Sequence, residues 1–280
     1  MVSSIKTGVI GWPINHSRSP LIHGYWLKTH NIHGSYEAIS LAPEKAELFF
    51  KDFAKGDYIG ANITIPHKEA VIPYLDVMED AAKAIGAVNT IWVEDGKLHG
   101  TNTDWLGFLG NLDAGCAGWD KTAKIALVLG AGGAARGIIY ALIQRGFQQI
   151  HVANRTIARA QEMQAHFGSA VLPHALKDAD KLVGECDLIV NTTSLGMEKN
   201  PPLTLSLETI RPHCLVTDIV YTPLETPLLK RAKDKGVKTV DGLGMLLHQA
   251  APGFERWFGV YPTVDDELRQ LILKDMRRAQ

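Results

Sequence analysis

Residues 124–156 constrain the fold more than any other stretch. Ile125-Ala-Leu-Val-Leu129 is a continuous apolar run of strand length. Gly130-Ala131-Gly132-Gly133-Ala134-Ala135 follows at once, and Arg136 to Arg145 reads as a helix. A second apolar run, Gln149 to Ala153, ends at Asn154-Arg155-Thr156. Strand, glycine turn, helix and strand in that order are what a dinucleotide-binding unit requires. The glycines let the backbone turn tightly and approach a pyrophosphate, which is favoured at the N-terminus of the helix. A glycine turn joining any strand to any helix would look alike locally. The strand, helix and second strand falling in place favour the nucleotide reading.

The end of the second strand carries the choice of nucleotide. An NAD site usually places Asp or Glu there, to accept from the ribose 2′-hydroxyl. This chain offers Asn154 and Arg155, with Arg159 one turn further on. A guanidinium beside the ribose matches a 2′-phosphate, so the pattern favours NADP. The plainer alternative for Arg155 is a solvated surface arginine.

The chain has 280 residues, enough for one large domain or two modest ones, and 46% hydrophobic content suits a globular protein. With 29 basic and 30 acidic residues the formal net charge is -1, so no nucleic-acid or membrane partner is expected. Cys116, Cys186 and Cys214 are far apart and form neither a zinc spacing nor a disulfide framework. No metal is expected. Residues 1–8 lack a basic region followed by a long apolar core, and with reduced thiols this gives a cytoplasmic expectation.

The expected architecture is α/β with two open sheets. The first block alternates strand and helix. Strands are expected at 6–10, 35–41, 58–65, 88–94 and 97–101, the last two forming a hairpin around Asp95-Gly96. Helices are expected at 20–30, 43–55 and 78–85. Such a block should form a mostly parallel sheet with helices on both faces. Residues 112–124, rich in Gly, Asp and Ala, look like a connector. The nucleotide block should then add strands near 170–172, 186–190, 214–219 and 237–240. A long helix should open at Gly242-Leu243-Gly244 and reach about Phe258, before a last amphipathic helix over 264–278.

Several polar segments stand where open α/β sheets bind ligands, at strand ends. Gly11 to Pro20 contains Ser17 and Ser19, and Ser19 before Pro20 looks like an N-cap. A helix start lined with hydroxyls suits a substrate carboxylate. Asn62-Ile-Thr64-Ile-Pro66-His67-Lys68 also ends a strand, and alternation places Asn62 and Thr64 on one face. A lysine in a partly desolvated site exchanges a proton more readily than a solvated one, which makes Lys68 an acid–base candidate. His67 is an alternative, with His16 and His23 behind it. Gly86 to Thr90 starts a strand. Gly100 to Asp104 ends one, and Asp104 either caps a helix or orients a neighbouring ammonium or a substrate hydroxyl.

Taken together, these segments resemble the shikimate dehydrogenase family of the aromatic-amino-acid pathway, in order and along almost the whole chain. Gly11 to Pro20 is similar to the family's carboxylate loop, and Asn62 to Lys68 to its catalytic lysine segment. Gly86 to Thr90 and Asn102 to Asp104 resemble two further substrate segments. Gly130 to Ala135 and Asn154 to Thr156 resemble its NADP loop and 2′-phosphate clamp. Asn191 to Met197 and Asp218 to Tyr221 are similar to the loops around the nicotinamide, and Gly242 to Ala250 to the signature that returns the chain to the first domain.

The resemblance implies reversible reduction of 3-dehydroshikimate to shikimate by NADPH, with Lys68 and Asp104 as the catalytic pair. It implies that Ser17 and Ser19 hold the carboxylate, and that Asn62, Thr64, Asn89 and Gln249 bind ring hydroxyls, with Tyr221 also on the substrate. For the cofactor it implies Gly130, Gly132, Gly133, Ala134, Asn154, Arg155, Thr156 and Arg159, with Thr192, Ile219, Gly242 and Met245. It implies a substrate domain of residues 1–103 plus 245–280, a Rossmann NADP domain of 104–244, and a monomer or homodimer whose partner is the small-molecule substrate.

Two positions depart from the family pattern: Ala135 stands at the third glycine place, and Trp105 follows Asp104 where glycine is usual. The Trp105 ring would either narrow the substrate site or pack on the connecting helix. The rival readings are a quinate/shikimate dehydrogenase using NAD, a folate-linked dehydrogenase, and a non-catalytic dinucleotide-binding regulator. The Arg155 clamp opposes the first, the serine loop the second, and the presence of both Lys68 and Asp104 the third.

Overall fold

The computed structural model describes residues 5–278, and these form two compact units. One unit runs to Thr103 and resumes at Leu247; the other is Asp104–Leu246. The two C-terminal helices therefore belong mainly with the first unit. No helix among the described residues is long and apolar enough to cross a membrane.

The second unit is the simpler. Its strands are β7 (Ile125–Leu129), β8 (Gln149–Asn154), β9 (Val171–Ala175), β10 (Leu188–Asn191), β11 (Leu215–Asp218) and β12 (Lys238–Val240). They lie in the order β12-β11-β10-β7-β8-β9, with every neighbouring pair parallel. The order reverses at β7, and that is where a doubly wound sheet opens a crevice at its carboxyl edge. Alternate side chains of β7 explain why its run is apolar throughout. Ala126 and Val128 join one core with Ile138, Ile139 and Leu142 of α6 (Gly133–Gln144). Leu127 and Leu129 join the opposite core with Val183, Leu228 and Leu229.

The first unit holds β1 (Ile5–Gly11), β2 (Gly34–Ser40), β3 (Tyr58–Ile63), β4 (Val77–Met78), β5 (Thr90–Glu94) and β6 (Lys97–Thr101) in the order β2-β1-β3-β5-β6-β4. This sheet is mixed: β5 runs against both β3 and β6, while the other pairings are parallel. The reversal follows from the tight turn at Asp95 and Gly96, both at positive φ, between the paired Glu94 and Lys97. One face packs Ile10, Ile63 and Ile91 against Phe50, Phe53 and Val71. Against the sheet also lies Trp257 of α9 (Leu243–Phe258), whose indole N–H donates to the Ile91 carbonyl at 3.0 Å. Gly60 makes that approach possible, because a Cβ there would overlap the indole ring.

Three expectations need correction. Residues 112–124 are not all connector: α5 (Asp104–Gly115) continues to Gly115 because Phe108, Leu109 and Leu112 are buried in the second unit's core. The helix expected over 78–85 begins later, as α4 (Asp80–Ile85), since Met78 pairs in β4 with Gly100. Ser19 is not an N-cap. Arg18 occupies the cap of α1 (Ser19–Thr29) with no side-chain cap bond, and the Ser17 hydroxyl oxygen accepts the Ser19 N–H at 3.3 Å.

Candidate active site

In the first unit the carboxyl ends of β1, β3 and β6 and the start of the reversed β5 share one sheet edge. Backbone bonds draw the polar segments together there. The Trp12 N–H donates to the Ile65 carbonyl at 3.0 Å, and the Thr64 N–H to the Ile10 carbonyl at 2.9 Å. The Ile63 N–H donates to the Asn89 carbonyl at 2.8 Å, the Val88 N–H to the Lys68 carbonyl at 2.8 Å, and the Asn89 N–H to the Thr101 carbonyl at 3.0 Å. Ser17, Thr64 and Lys68 are partly buried at this edge, and Ser19 is buried.

Beneath the edge lies a buried polar network. The Tyr36 hydroxyl donates to Asn62 Oδ1 at 2.6 Å. Asn62 Nδ2 donates to the Asn89 carbonyl at 3.2 Å and to Thr90 Oγ1 at 3.1 Å. Both amide hydrogens of Asn62 are thereby used, so toward a ligand it can offer only its remaining acceptor capacity. Asn89 Oδ1 accepts from the Thr103 N–H at 2.7 Å and from Thr90 Oγ1 at 3.0 Å. Asn89 Nδ2 donates to Thr103 Oγ1 at 3.0 Å and to Gln249 Oε1 at 3.4 Å. Thr103 Oγ1 in turn donates to the Gln249 carbonyl at 2.7 Å, so the network fixes the turn of α9 that carries Gln249.

Two of the three histidine alternatives are enclosed by the fold. His67 is buried with Nε2 at 2.7 Å from the Leu41 carbonyl and its ring against Phe50. His23 is fully buried among Trp26, Tyr36, Phe254 and Trp257. Its burial pushes the imidazole down to about 3, so the ring is neutral at ordinary pH. His16 is exposed in the segment between Gly11 and Pro20.

In the second unit the glycine turn leads from β7 into α6. Gly130 has φ +106°, and a Cβ there would lie 2.6 Å from Thr192 Oγ1. A Cβ at Gly132 or Gly133 would meet nothing within 4 Å, and Gly132 caps α6 without a side-chain bond. The turn therefore presents open space in front of a helix N-terminus, which suits a pyrophosphate. At the end of β8, Asn154 Nδ2 donates to the Thr156 carbonyl at 2.9 Å, and Arg155 and Arg159 are exposed beside it. Thr192 is anchored through its hydroxyl to the Leu129 carbonyl at 2.8 Å. Ile219, Tyr221 and Met245 are partly buried, and Gly242 is buried.

Three family models match the chain: a shikimate dehydrogenase substrate-binding domain over residues 9–91, a shikimate/quinate 5-dehydrogenase over 117–200, and a shikimate 5′-dehydrogenase C-terminal domain over 242–266. The shikimate dehydrogenase (NADP(+)) of Azorhizobium caulinodans is 53% identical over 271 residues, 97% of this chain and 96% of that protein. The chain belongs to the shikimate dehydrogenase family. A solved shikimate 5-dehydrogenase of Thermus thermophilus, in complex with NADP(H) and shikimate, is 36% identical with a TM-score of 0.85, covering 99% of this chain and 100% of that one. The quinate dehydrogenase of Corynebacterium glutamicum, in complex with NAD, shares the fold at 30% identity and a TM-score of 0.87, covering 97% of this chain and 99% of that one.

Trp105 of this shikimate dehydrogenase family member lies in the first turn of α5. Its ring meets Tyr140 of α6 edge-on, centroids 5.3 Å apart, and it lies against the second unit's core. Tyr36 has no place in the sequence-derived site, and Thr90, Thr103 and Asp218 fall inside its matched segments without a role of their own. The signal for Asp218 was present, an acid closing the apolar run Leu215-Val-Thr-Asp218. Tyr36 and Thr103 take their partners from distant segments, and Thr90 takes Asn62 besides the adjacent Asn89, so little local mark is left.

Proposed function

We propose that the chain catalyses the reversible reduction of 3-dehydroshikimate to shikimate with NADPH. The observation that carries this reading is the gathering of Ser17, Thr64, Lys68, Asn89 and Gln249 at one sheet edge of the first unit. The open glycine turn, with Arg155 and Arg159 beyond β8, fits a 2′-phosphorylated dinucleotide in the second. Bound NADPH supplies the hydride.

The remaining steps belong to the protein. Ser17 accepts from Ser19 N–H, and that bond leaves its hydroxyl hydrogen to donate to the substrate carboxylate. Ser19 is assigned to the same carboxylate. Thr64, Asn89, Gln249 and Tyr221 orient the ring, with Asn62 accepting at most one hydroxyl. Hydride addition builds negative charge on the ketone oxygen. The Lys68 ammonium stabilises that charge and delivers the proton, and Asp104 is its partner in the catalytic pair.

Initial rates with shikimate and with quinate, each with NADP and NAD, test the reading. Shikimate with NADP should give the highest kcat/KM. A preference for quinate with NAD overturns it in favour of the quinate reading.

A further inference from the structure

We propose that Asp218 is a positioning residue for the nicotinamide end of the cofactor site, a buried carboxylate that ties three loops of the second unit into one wall. The inference rests on the reading of NADP as the cofactor. Asp218 closes β11 and is wholly inaccessible to solvent. Asn191 Nδ2 donates to its Oδ1 at 3.0 Å, and the Val220 N–H donates to the same oxygen at 3.0 Å. Thr226 Oγ1 donates to Oδ2 at 2.7 Å. Each donor lies on a different segment: the end of β10, the turn after β11, and the start of α8 (Pro227–Asp234).

The ties extend outward from each donor. Asn191 Oδ1 accepts the Thr193 N–H at 3.0 Å and the Thr193 hydroxyl at 2.7 Å, while its Nδ2 also reaches the Leu195 carbonyl at 3.1 Å. That fixes the loop bearing Thr192. Thr226 Oγ1 accepts the Leu229 N–H at 3.4 Å and so caps α8. A Cβ at Gly242 would lie 2.6 Å from the Asp218 carbonyl oxygen and 2.5 Å from that of Ile219, so a fourth segment is seated against the same turn. Thr192 and Ile219 each directly follow a member of this network.

A buried carboxylate is a costly way to fill space. Burial pushes its pKa up, with the Thr226, Asn191 and Val220 bonds pulling the other way. Apolar residues of similar volume would fill the site with less desolvation penalty. What the carboxylate supplies is direction: charge-assisted bonds are short and geometrically demanding, and here they converge from three loops. Loops so fixed hold Thr192 and Ile219 at set positions.

The test compares two ligands. NADP carries the nicotinamide; 2′-phospho-ADP-ribose carries the same adenine, 2′-phosphate and pyrophosphate without it. In Asp218→Asn and in the milder Thr226→Val, NADP should bind about tenfold more weakly and kcat should fall about tenfold to a hundredfold, the scale of a small misplacement of reacting groups. Affinity for 2′-phospho-ADP-ribose and the KM for shikimate should change less than about twofold. Thr226→Ser, which keeps the hydroxyl, should restore both properties. A purely structural role would weaken both ligands alike or lower only the unfolding midpoint, and either result overturns the proposal. So does wild-type NADP affinity and turnover in folded Thr226→Val. Failure of the underlying reading is distinguishable, because the unaltered protein would then neither bind NADP nor oxidise shikimate with it.

Discussion

The imidazole of His23 lies flat on the phenol ring of Tyr36, with ring centroids 3.9 Å apart and 4° between the planes. Neither ring nitrogen of His23 has a hydrogen-bond partner among the described residues. The stack seats Tyr36 so that its hydroxyl reaches Asn62, and the polar network of the first unit thus rests on an aromatic floor.

That floor predicts an acid sensitivity. The His23 pKa is about 3 in the fold against an ordinary 6.5, so the unfolded chain takes up a proton that the folded chain refuses. The stability contributed by neutral burial is fully present above pH 6.5 and is lost as pH falls toward 3. The slope is at most about 1.4 kcal/mol per pH unit. His23→Phe keeps a stacked ring and removes the titration. Urea midpoints followed from neutral to acid pH should fall less steeply in the variant. Parallel losses in both proteins would assign the acid sensitivity to other groups.

Tyr36→Phe keeps the ring and removes the bond to Asn62, leaving a buried amide oxygen short of a donor. The expected cost is about 1–3 kcal/mol in unfolding free energy. The KM for shikimate should rise, because Asn62 also orders Asn89 and Thr90. An unfolding midpoint equal to that of the unaltered protein would show that the bond contributes nothing.

The nucleotide unit was legible in the sequence because its inner strands are buried on both faces and therefore read as unbroken apolar runs. The first unit was less so. Its hairpin was signalled by Asp95-Gly96, yet the sheet's strand order depends on pairings such as Val77 with His99 that no local pattern encodes. The connector expected at 112–124 begins only after Gly115, because packing overrides propensity at its start: Gly115 sits against Val240, where a Cβ would lie 2.9 Å from a methyl group. Ser19 looked like a cap because Pro20 follows it, but the hydroxyl that meets the N–H belongs to Ser17. His23 was offered as an acid–base group because nothing near it in sequence shows that Tyr36, Phe254 and Trp257 enclose it.

Two glycines of the nucleotide turn should separate folding from binding. Gly130→Ala forces a side chain onto φ +106° and against Thr192, so stability should fall by more than about 1 kcal/mol. Gly132→Ala meets no protein atom, so its unfolding midpoint should barely move while NADP affinity drops, the methyl group occupying space meant for phosphate. Calorimetric binding and denaturant melts on both variants check this. Equal NADP affinity in Gly132→Ala and the unaltered protein would place the pyrophosphate elsewhere.

Lys68→Ala should lower kcat far more than it raises the KM for shikimate, because the ammonium matters most as charge develops on the reacting oxygen. Asp104→Asn should behave in the same way if the two act as a pair. A large rise in KM with unchanged kcat would make Lys68 a binding residue instead.

Cofactor choice should turn on Arg155. The guanidinium is exposed beyond β8 and stands where NAD sites carry an acid. A charge-assisted contact to a 2′-phosphate is worth roughly 1.5–3 kcal/mol, about a tenfold to hundredfold preference per arginine. NAD has no such phosphate and gains nothing from the contact. Arg155→Asp should therefore cut kcat/KM for NADP sharply while sparing or raising that for NAD, since the new carboxylate can accept from a 2′-hydroxyl. Arg159→Ala should give a smaller loss with NADP alone, because Asn154, Arg155 and Thr156 remain. Should Arg155→Asp lose activity with both cofactors equally, the residue shapes the loop rather than reading the phosphate, and the preference for NADP has to come from elsewhere in the second unit.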